Sequence, residues 1–158
     1  MRIDFSREPE PLGTAGALRH ALPLLNSNPT LVCNGDSFCE VDLAEFWCFH
    51  RERNANGSLV ITHCTDTRER GRVTVGGCGS ITSFVEKGNA TGAGWISAGI
   101  YLLSPVVLEN IPMGRAVSIE RETFPSWVGR GLYAFPTSGK FLDIGTPESY
   151  AQGQGFFT

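Results

Sequence analysis

Leu31-Val32-Cys33-Asn34-Gly35-Asp36-Ser37-Phe38 is the stretch whose reading decides the fold. A short apolar run ends abruptly in Asn-Gly-Asp, and two architectures account for that ending. Asn-Gly is the strongest two-residue hairpin signal, so the run reads as one arm of a β-hairpin. Alternatively, it is a strand of an open α/β sheet. Asp36 then lies just past the strand's carboxyl end, where such sheets bind ligands. A carboxylate placed there can hold a metal ion against a phosphate. The elements on either side of the stretch select between the two.

Upstream, Arg2-Ile3-Asp4-Phe5-Ser6 alternates polar and apolar and predicts a strand. Glu8-Pro9-Glu10-Pro11 breaks the chain, and a helix is predicted from near Thr14, with Ala17, Leu18, Ala21, Leu22 and Leu25 on one face. Gly13 stands just before that helix. It is either a turn residue or a point of close backbone approach to an anion at the helix N-terminus. Downstream, Asp42 reads as an N-cap for a helix over 43–53, with Leu43, Phe46, Trp47 and His50 at helical spacing. Ser58–Cys64 reads as a buried parallel strand. The order strand, helix, strand, helix, strand is that of an α/β sheet, and it argues against a hairpin at Asn34-Gly35.

The middle of the chain changes character. Arg72–Val75, the glycine-rich Gly76-Gly77-Cys78-Gly79, and Ser80–Val85 predict a hairpin that delivers Glu86-Lys87 at its end. Trp95–Leu103 is the longest apolar strand, and Ser104-Pro105 opens a short helix. Ser118-Ile119-Glu120-Arg121 carries a capping signal into a helix that Pro125 limits. Strands over 131–136 and 139–142 flank a turn. Asp143-Ile144-Gly145-Thr146-Pro147-Glu148 is a second acidic corner, with a final helix from Pro147.

Composition limits the function classes. A chain of 158 residues predicts one domain with a real core. With 41% hydrophobic and 18% charged residues it is an ordinary globular protein rather than a disordered one. A net charge of -3 without a basic cluster argues against nucleic-acid binding. No apolar run approaches a membrane span, and no signal-peptide core follows Met1. The five cysteines form no CxxC pair and read as mostly buried free thiols of a reducing, cytoplasmic compartment. His20 and His50, in helical patterns, are expected to face solvent.

Taken together, Glu-Pro-Leu-Gly-Thr-Ala-Gly-Ala, Asn-Gly-Asp, Phe-Val-Glu-Lys, Ala-Gly-Ile-Tyr, Ser-Ile-Glu-Arg and Phe-Leu-Asp-Ile-Gly-Thr-Pro-Glu resemble the sugar-1-phosphate nucleotidyltransferases. Within them the chain resembles the branch containing the mannose- and heptose-1-phosphate guanylyltransferases. The match runs in order over nearly all of the chain. It implies a Rossmann-like, mostly parallel sheet flanked by helices, as one domain over residues 1–158. It also implies transfer of a nucleotide from a nucleoside triphosphate to a sugar 1-phosphate, giving a nucleotide-sugar and pyrophosphate. Such chemistry depends on positioning and charge neutralisation.

The resemblance assigns roles by position. Asp36 and Asp143 would share Mg2+ as catalytic residues, with Gly35 beside them at the substrate. Lys87 would meet the sugar phosphate and Glu86 the sugar hydroxyls. Gly99 would admit the sugar to the backbone, and Leu12, Gly13 and Thr14 would lie under the nucleotide base. Structural roles compete: a turn or cap for Asp36, an N-cap for Asp143, a solvated hairpin end for Glu86-Lys87. Glu120 reads as a cap or salt-bridge residue, and Tyr101 and Trp95 as core.

The departures are as informative. The family opens with a glycine-rich loop containing Gly-Thr-Arg that wraps the triphosphate, and no such loop stands among these residues. Gly88 replaces the family's usual Pro and Ser97 its frequent Asn. The expectation is a truncated form with little or no activity alone, forming a homodimer or swapped assembly that covers the gap. The alternative is a non-catalytic sugar-nucleotide-binding or oligomerisation module. An unrelated structural α/β domain is the third class, and binding of Mg2+ with nucleotide discriminates against it.

Overall fold

A computed structural model of the chain describes residues 2–68, 70–85, 89 and 91–156. The elements are α1 (Gly13–Ala21), β1 (Thr30–Cys33), β2 (Ser37–Cys39), α2 (Leu43–Glu52), β3 (Gly57–Cys64), β4 (Arg72–Val75), β5 (Ile81–Val85), β6 (Gly94–Leu103), α3 (Pro105–Glu109), α4 (Phe124–Trp127), β7 (Leu132–Thr137), β8 (Phe141–Asp143) and α5 (Pro147–Gly153). A π-helical turn over Ile119–Thr123 leads into α4.

β6 is the spine of a six-stranded sheet. β3 pairs along one of its edges. The other edge is shared, β4 taking Trp95 and Ile96 and β1 taking residues 100–103. β7 extends the sheet beyond β3, and β5 extends it beyond β4. β2 and β8 form a separate two-stranded ladder.

Alternation along the strands fills both faces. Leu59 and Ile61 of β3 join Tyr101 and Leu103 of β6 in a large core with Ala15 of α1, Val107 and Leu108 of α3, and Phe124 of α4. Val60, Ala98 and Leu102 point the other way and meet Phe46 of α2. The class, a central sheet flanked by helices, is therefore the predicted one. Strand direction is more mixed than predicted. β1, β3 and β7, each preceded by a helix, run the same way, but only β3 and β7 are parallel neighbours. β6 lies antiparallel between β1 and β3, because it is reached from the β4–β5 hairpin without the crossover helix that a parallel neighbour needs.

Other expectations are corrected. Arg2–Ser6 forms no strand; Ile3 and Phe5 are exposed and no ladder partner stands beside them among the described residues. β7 and β8 do not pair with each other, since β8 crosses to β2. None of the five free cysteines is buried. On α2 the buried face is Phe46 and His50, while Leu43 and Trp47 are exposed. His50 therefore faces the sheet, not solvent, with Nδ1 2.9 Å from the Ser58 hydroxyl.

Burial, with the Arg51 charge nearby, lowers the His50 pKa below its ordinary 6.5. The unfolded chain then takes up the proton first as pH falls, so His50 stabilises the fold fully above about pH 6.5 and the contribution shrinks as pH drops toward the folded-state value. Thermal unfolding followed from pH 8 to pH 5 should show this loss. His50→Gln, which cannot take up a proton, should flatten that part of the profile.

Candidate functional site

The two acidic corners meet on the β2–β8 ladder. Its register sets Ser37 opposite Asp143, and the Ile144 N–H donates to the Asp36 carbonyl at 2.9 Å. The segment before β8 is held at Glu40. The Thr137 hydroxyl donates to the Glu40 carbonyl at 3.0 Å, and the Glu40 N–H donates to the Lys140 carbonyl at 2.8 Å. Gly139 passes so close to the Glu40 backbone that any Cβ would collide with it.

The carboxylates converge at Gly145. A side chain added at Gly145 would set its Cβ 3.0 Å from Asp143 Oδ1 and 3.4 Å from Asp36 Oδ2, so the two carboxylates flank this glycine. The Gly145 N–H donates to Asp143 Oδ1 at 2.8 Å. Neither aspartate caps a helix. Thr146 caps α5, in a reciprocal box with Ser149.

Both aspartates line a cavity of about 510 Å³, together with Asn34, Arg70, Ser97, Gly99, Glu120, Phe141, Thr146 and Ser149. Gly99 sits where β6 slips register against β3, between Leu59 and Ile61. Its φ is +75°, and its carbonyl accepts the Asn34 N–H at 2.8 Å. The bulge turns this part of β6 toward the Asn-Gly-Asp corner.

A hydrogen-bonded chain runs from the bulge to Glu120. The Gly99 N–H donates to Ser97 Oγ at 3.3 Å, and Ser97 Oγ lies 3.2 Å from the Tyr101 hydroxyl. That hydroxyl donates to Glu120 Oε1 at 3.1 Å. Burial, and then the nearby Glu120 charge, push the Tyr101 phenol far above its usual range, so it remains a donor. Opposite, Arg70 Nη1 lies 3.4 Å from Asp143 Oδ2, with its guanidinium over the Phe141 ring.

Of the predicted site residues, Asp36, Asp143 and Gly99 are thus brought together. Gly35 belongs to the same corner but does not line the cavity. Glu86 and Lys87 lie outside the described residues. The Leu12-Gly13-Thr14 segment is engaged internally. The Ala15 N–H donates to the Val117 carbonyl at 2.9 Å, and the Val117 N–H donates to the Leu12 carbonyl at 2.8 Å. The close approach that Gly13 permits, with φ +69°, is thereby taken by Val117. Leu12 is core, while Thr14 lines an adjoining cavity of about 310 Å³ with Asn34 and Tyr101.

Two cavity residues escaped the sequence reading. Glu120 is no cap: the Ser118 hydroxyl accepts the Arg121 N–H, and Glu122 takes both the Ser118 N–H and the Arg115 ion pair. The Ser-Ile-Glu-Arg motif was the signal that marked Glu120. No local signal marked Arg70, which sits in the connection before β4. Among the described residues no group of three or more His, Cys, Asp or Glu could hold a metal ion. Two converging carboxylates do suit a cation that completes its shell with phosphate oxygens and water, as Mg2+ does.

The nucleotidyl transferase family model matches the chain over residues 1–158. The chain belongs to that family. Within it, the chain is 38% identical over 157 residues to a mannose-1-phosphate guanylyltransferase catalytic subunit beta of Xenopus tropicalis, covering 97% of the chain and 43% of that protein. It is 33% identical over 156 residues to a mannose-1-phosphate guanylyltransferase of Mycobacterium tuberculosis, covering 97% and 44%. The chain thus spans less than half the length of these relatives. Among solved structures it is similar to HddC from Yersinia pseudotuberculosis complexed with GMP-PN. The TM-score is 0.78 at 29% identity, over 96% of this chain and 65% of that one.

Gly99→Ala tests the bulge. Alanine would be forced into a left-handed conformation with its Cβ 2.9 Å from Asn34 Nδ2. Urea unfolding should show a loss of about 1–3 kcal/mol.

Proposed function

We propose that this chain carries the sugar-phosphate and metal side of a sugar-1-phosphate nucleotidyltransferase site. The reaction is the joining of a nucleoside triphosphate and a sugar 1-phosphate into a nucleotide-sugar, with release of pyrophosphate. The observation that supports it most is the convergence of Asp36 and Asp143 at Gly145 on the wall of one cavity. The guanylyltransferase relatives make GTP and mannose 1-phosphate the first pair to try.

In this reading Asp36 and Asp143 would hold Mg2+, which when bound neutralises charge on phosphate oxygens. The chain's own groups orient the substrate. Glu120, kept in place by the Tyr101 hydroxyl, presents a carboxylate to sugar hydroxyls at the cavity wall. Gly99 keeps that wall free of a side chain. Arg70 supplies positive charge near the phosphate. Glu86 and Lys87, by resemblance, complete the sugar side.

Isothermal titration tests the reading. Mannose 1-phosphate should bind in the presence of Mg2+. Asp36→Asn or Asp143→Asn should weaken Mg2+-dependent binding by about tenfold or more, since each removes a charged ligand. Unchanged binding in both variants would reject the assignment. With no Gly-Thr-Arg loop among these 158 residues, pyrophosphate release from GTP and mannose 1-phosphate should be negligible for this chain alone. Clear turnover would overturn that part.

A further inference from the structure

We propose that Arg70 is an exchangeable counter-ion. It neutralises Asp143 when no cation is bound, and it pairs with the phosphate of a sugar 1-phosphate when a divalent cation takes Asp143. This deepens the preceding reading and rests on it.

The geometry points to exchange rather than a fixed salt bridge. Arg70 Nη1 and Asp143 Oδ2 are 3.4 Å apart, with side chains 33% and 35% exposed. An ion pair this long and this wet is worth little, on the order of a two- to fivefold preference. The other oxygen, Asp143 Oδ1, accepts the Gly145 N–H at 2.8 Å, and Asp36 Oδ2 flanks the same glycine. A cation held by Asp36 and Asp143 together would therefore compete with Arg70 for one carboxylate.

Charge balance supplies the second half. The cavity wall carries Asp36, Glu120 and Asp143, and Arg70 is its one cationic side chain among the described residues. A divalent cation offsets the aspartates, and the freed guanidinium then adds to the Lys87 contact that the resemblance gives an entering phosphate. A planar guanidinium meets phosphate oxygens two at a time, in short charge-assisted hydrogen bonds.

Arg70 also has room to move. With Ile96 and Phe141 it forms a wall shared with a neighbouring cavity of about 540 Å³. Its guanidinium lies 5.3 Å from the Phe141 ring centre, a flat face over which it can slide without unpacking the core. It stands in the connection between β3 and β4, outside any ladder.

The test measures two affinities of the same chain, Mn2+ alone by electron paramagnetic resonance and mannose 1-phosphate by calorimetry at saturating Mn2+. Arg70→Gln should bind Mn2+ about two- to fivefold more tightly than the wild type, having lost the competitor. It should bind mannose 1-phosphate roughly tenfold more weakly, having lost a charged partner. Arg70→Lys should fall between on both counts. Opposite signs are the signature, because a residue that merely supports the fold would weaken both or alter neither. Arg70→Gln that weakens both, or changes neither, overturns the proposal. Circular dichroism checks folding, and were Arg70→Gln unfolded, Arg70→Lys would decide by the same two signs. A wild-type chain that binds neither Mn2+ nor mannose 1-phosphate is a different result and rejects the family-based reading itself.

Discussion

The short β2–β8 ladder is the interaction on which the site depends. It joins the segment after the first apolar strand to one near the end of the chain, and its register alone decides that Asp36 and Asp143 share a cavity. Because side chains alternate along a strand, a slip of one residue would send Asp143 to the opposite face. Three residues per strand are few to hold a register. Glu40 supplies the rest. Its backbone and side chain bind the turn over 137–140, and the fit at Gly139 leaves no freedom to slide. Phe46 and Phe135 pack 5.4 Å apart behind this junction and tie it to the second core.

β6 contributes the other wall. A regular strand would present the same edge along its whole length. The slip opposite Val60 divides β6 into a half that pairs with β4 and a half that pairs with β1. Gly99 stands at the division. The relay from Gly99 through Ser97 and Tyr101 to Glu120 converts this irregularity into a placed carboxylate. Tyr101 is thus both a core residue, packed on Phe124, and the donor that orients Glu120. The sequence reading of Tyr101 as core was sound but incomplete. A buried phenol must place its hydroxyl somewhere, and that partner reveals the site.

The Leu12–Thr14 segment shows the opposite lesson. A glycine ahead of a helix N-terminus is compatible with an anion site. Here free N–H groups of α1 are answered by the Val117 carbonyl, so the glycine lets one segment of the chain pack closely on another. The two uses look the same in sequence, because both require a backbone without a side chain. His50 is a similar case. Helical spacing places it on a face, but only the docking angle of α2 makes that face the buried one.

Local pattern determined most of the elements, though not β2 or the strandless start over Arg2–Ser6. Alternation, caps and glycine clusters marked the β4–β5 hairpin, the long β6, α1, α2, α3 and α5, because these signals act over a few neighbouring residues. The ordered motifs also determined the family, and they singled out the two aspartates that the fold brings to one cavity. Tertiary structure alone decided the direction of β6, the crossing of β8 to β2, the burial of His50, and the presence of Arg70 and Glu120 beside the aspartates. Each of these depends on contacts between segments far apart in the chain. Such contacts leave no periodic trace in either segment, since a loop costs nearly the same entropy whichever strand it delivers to which edge.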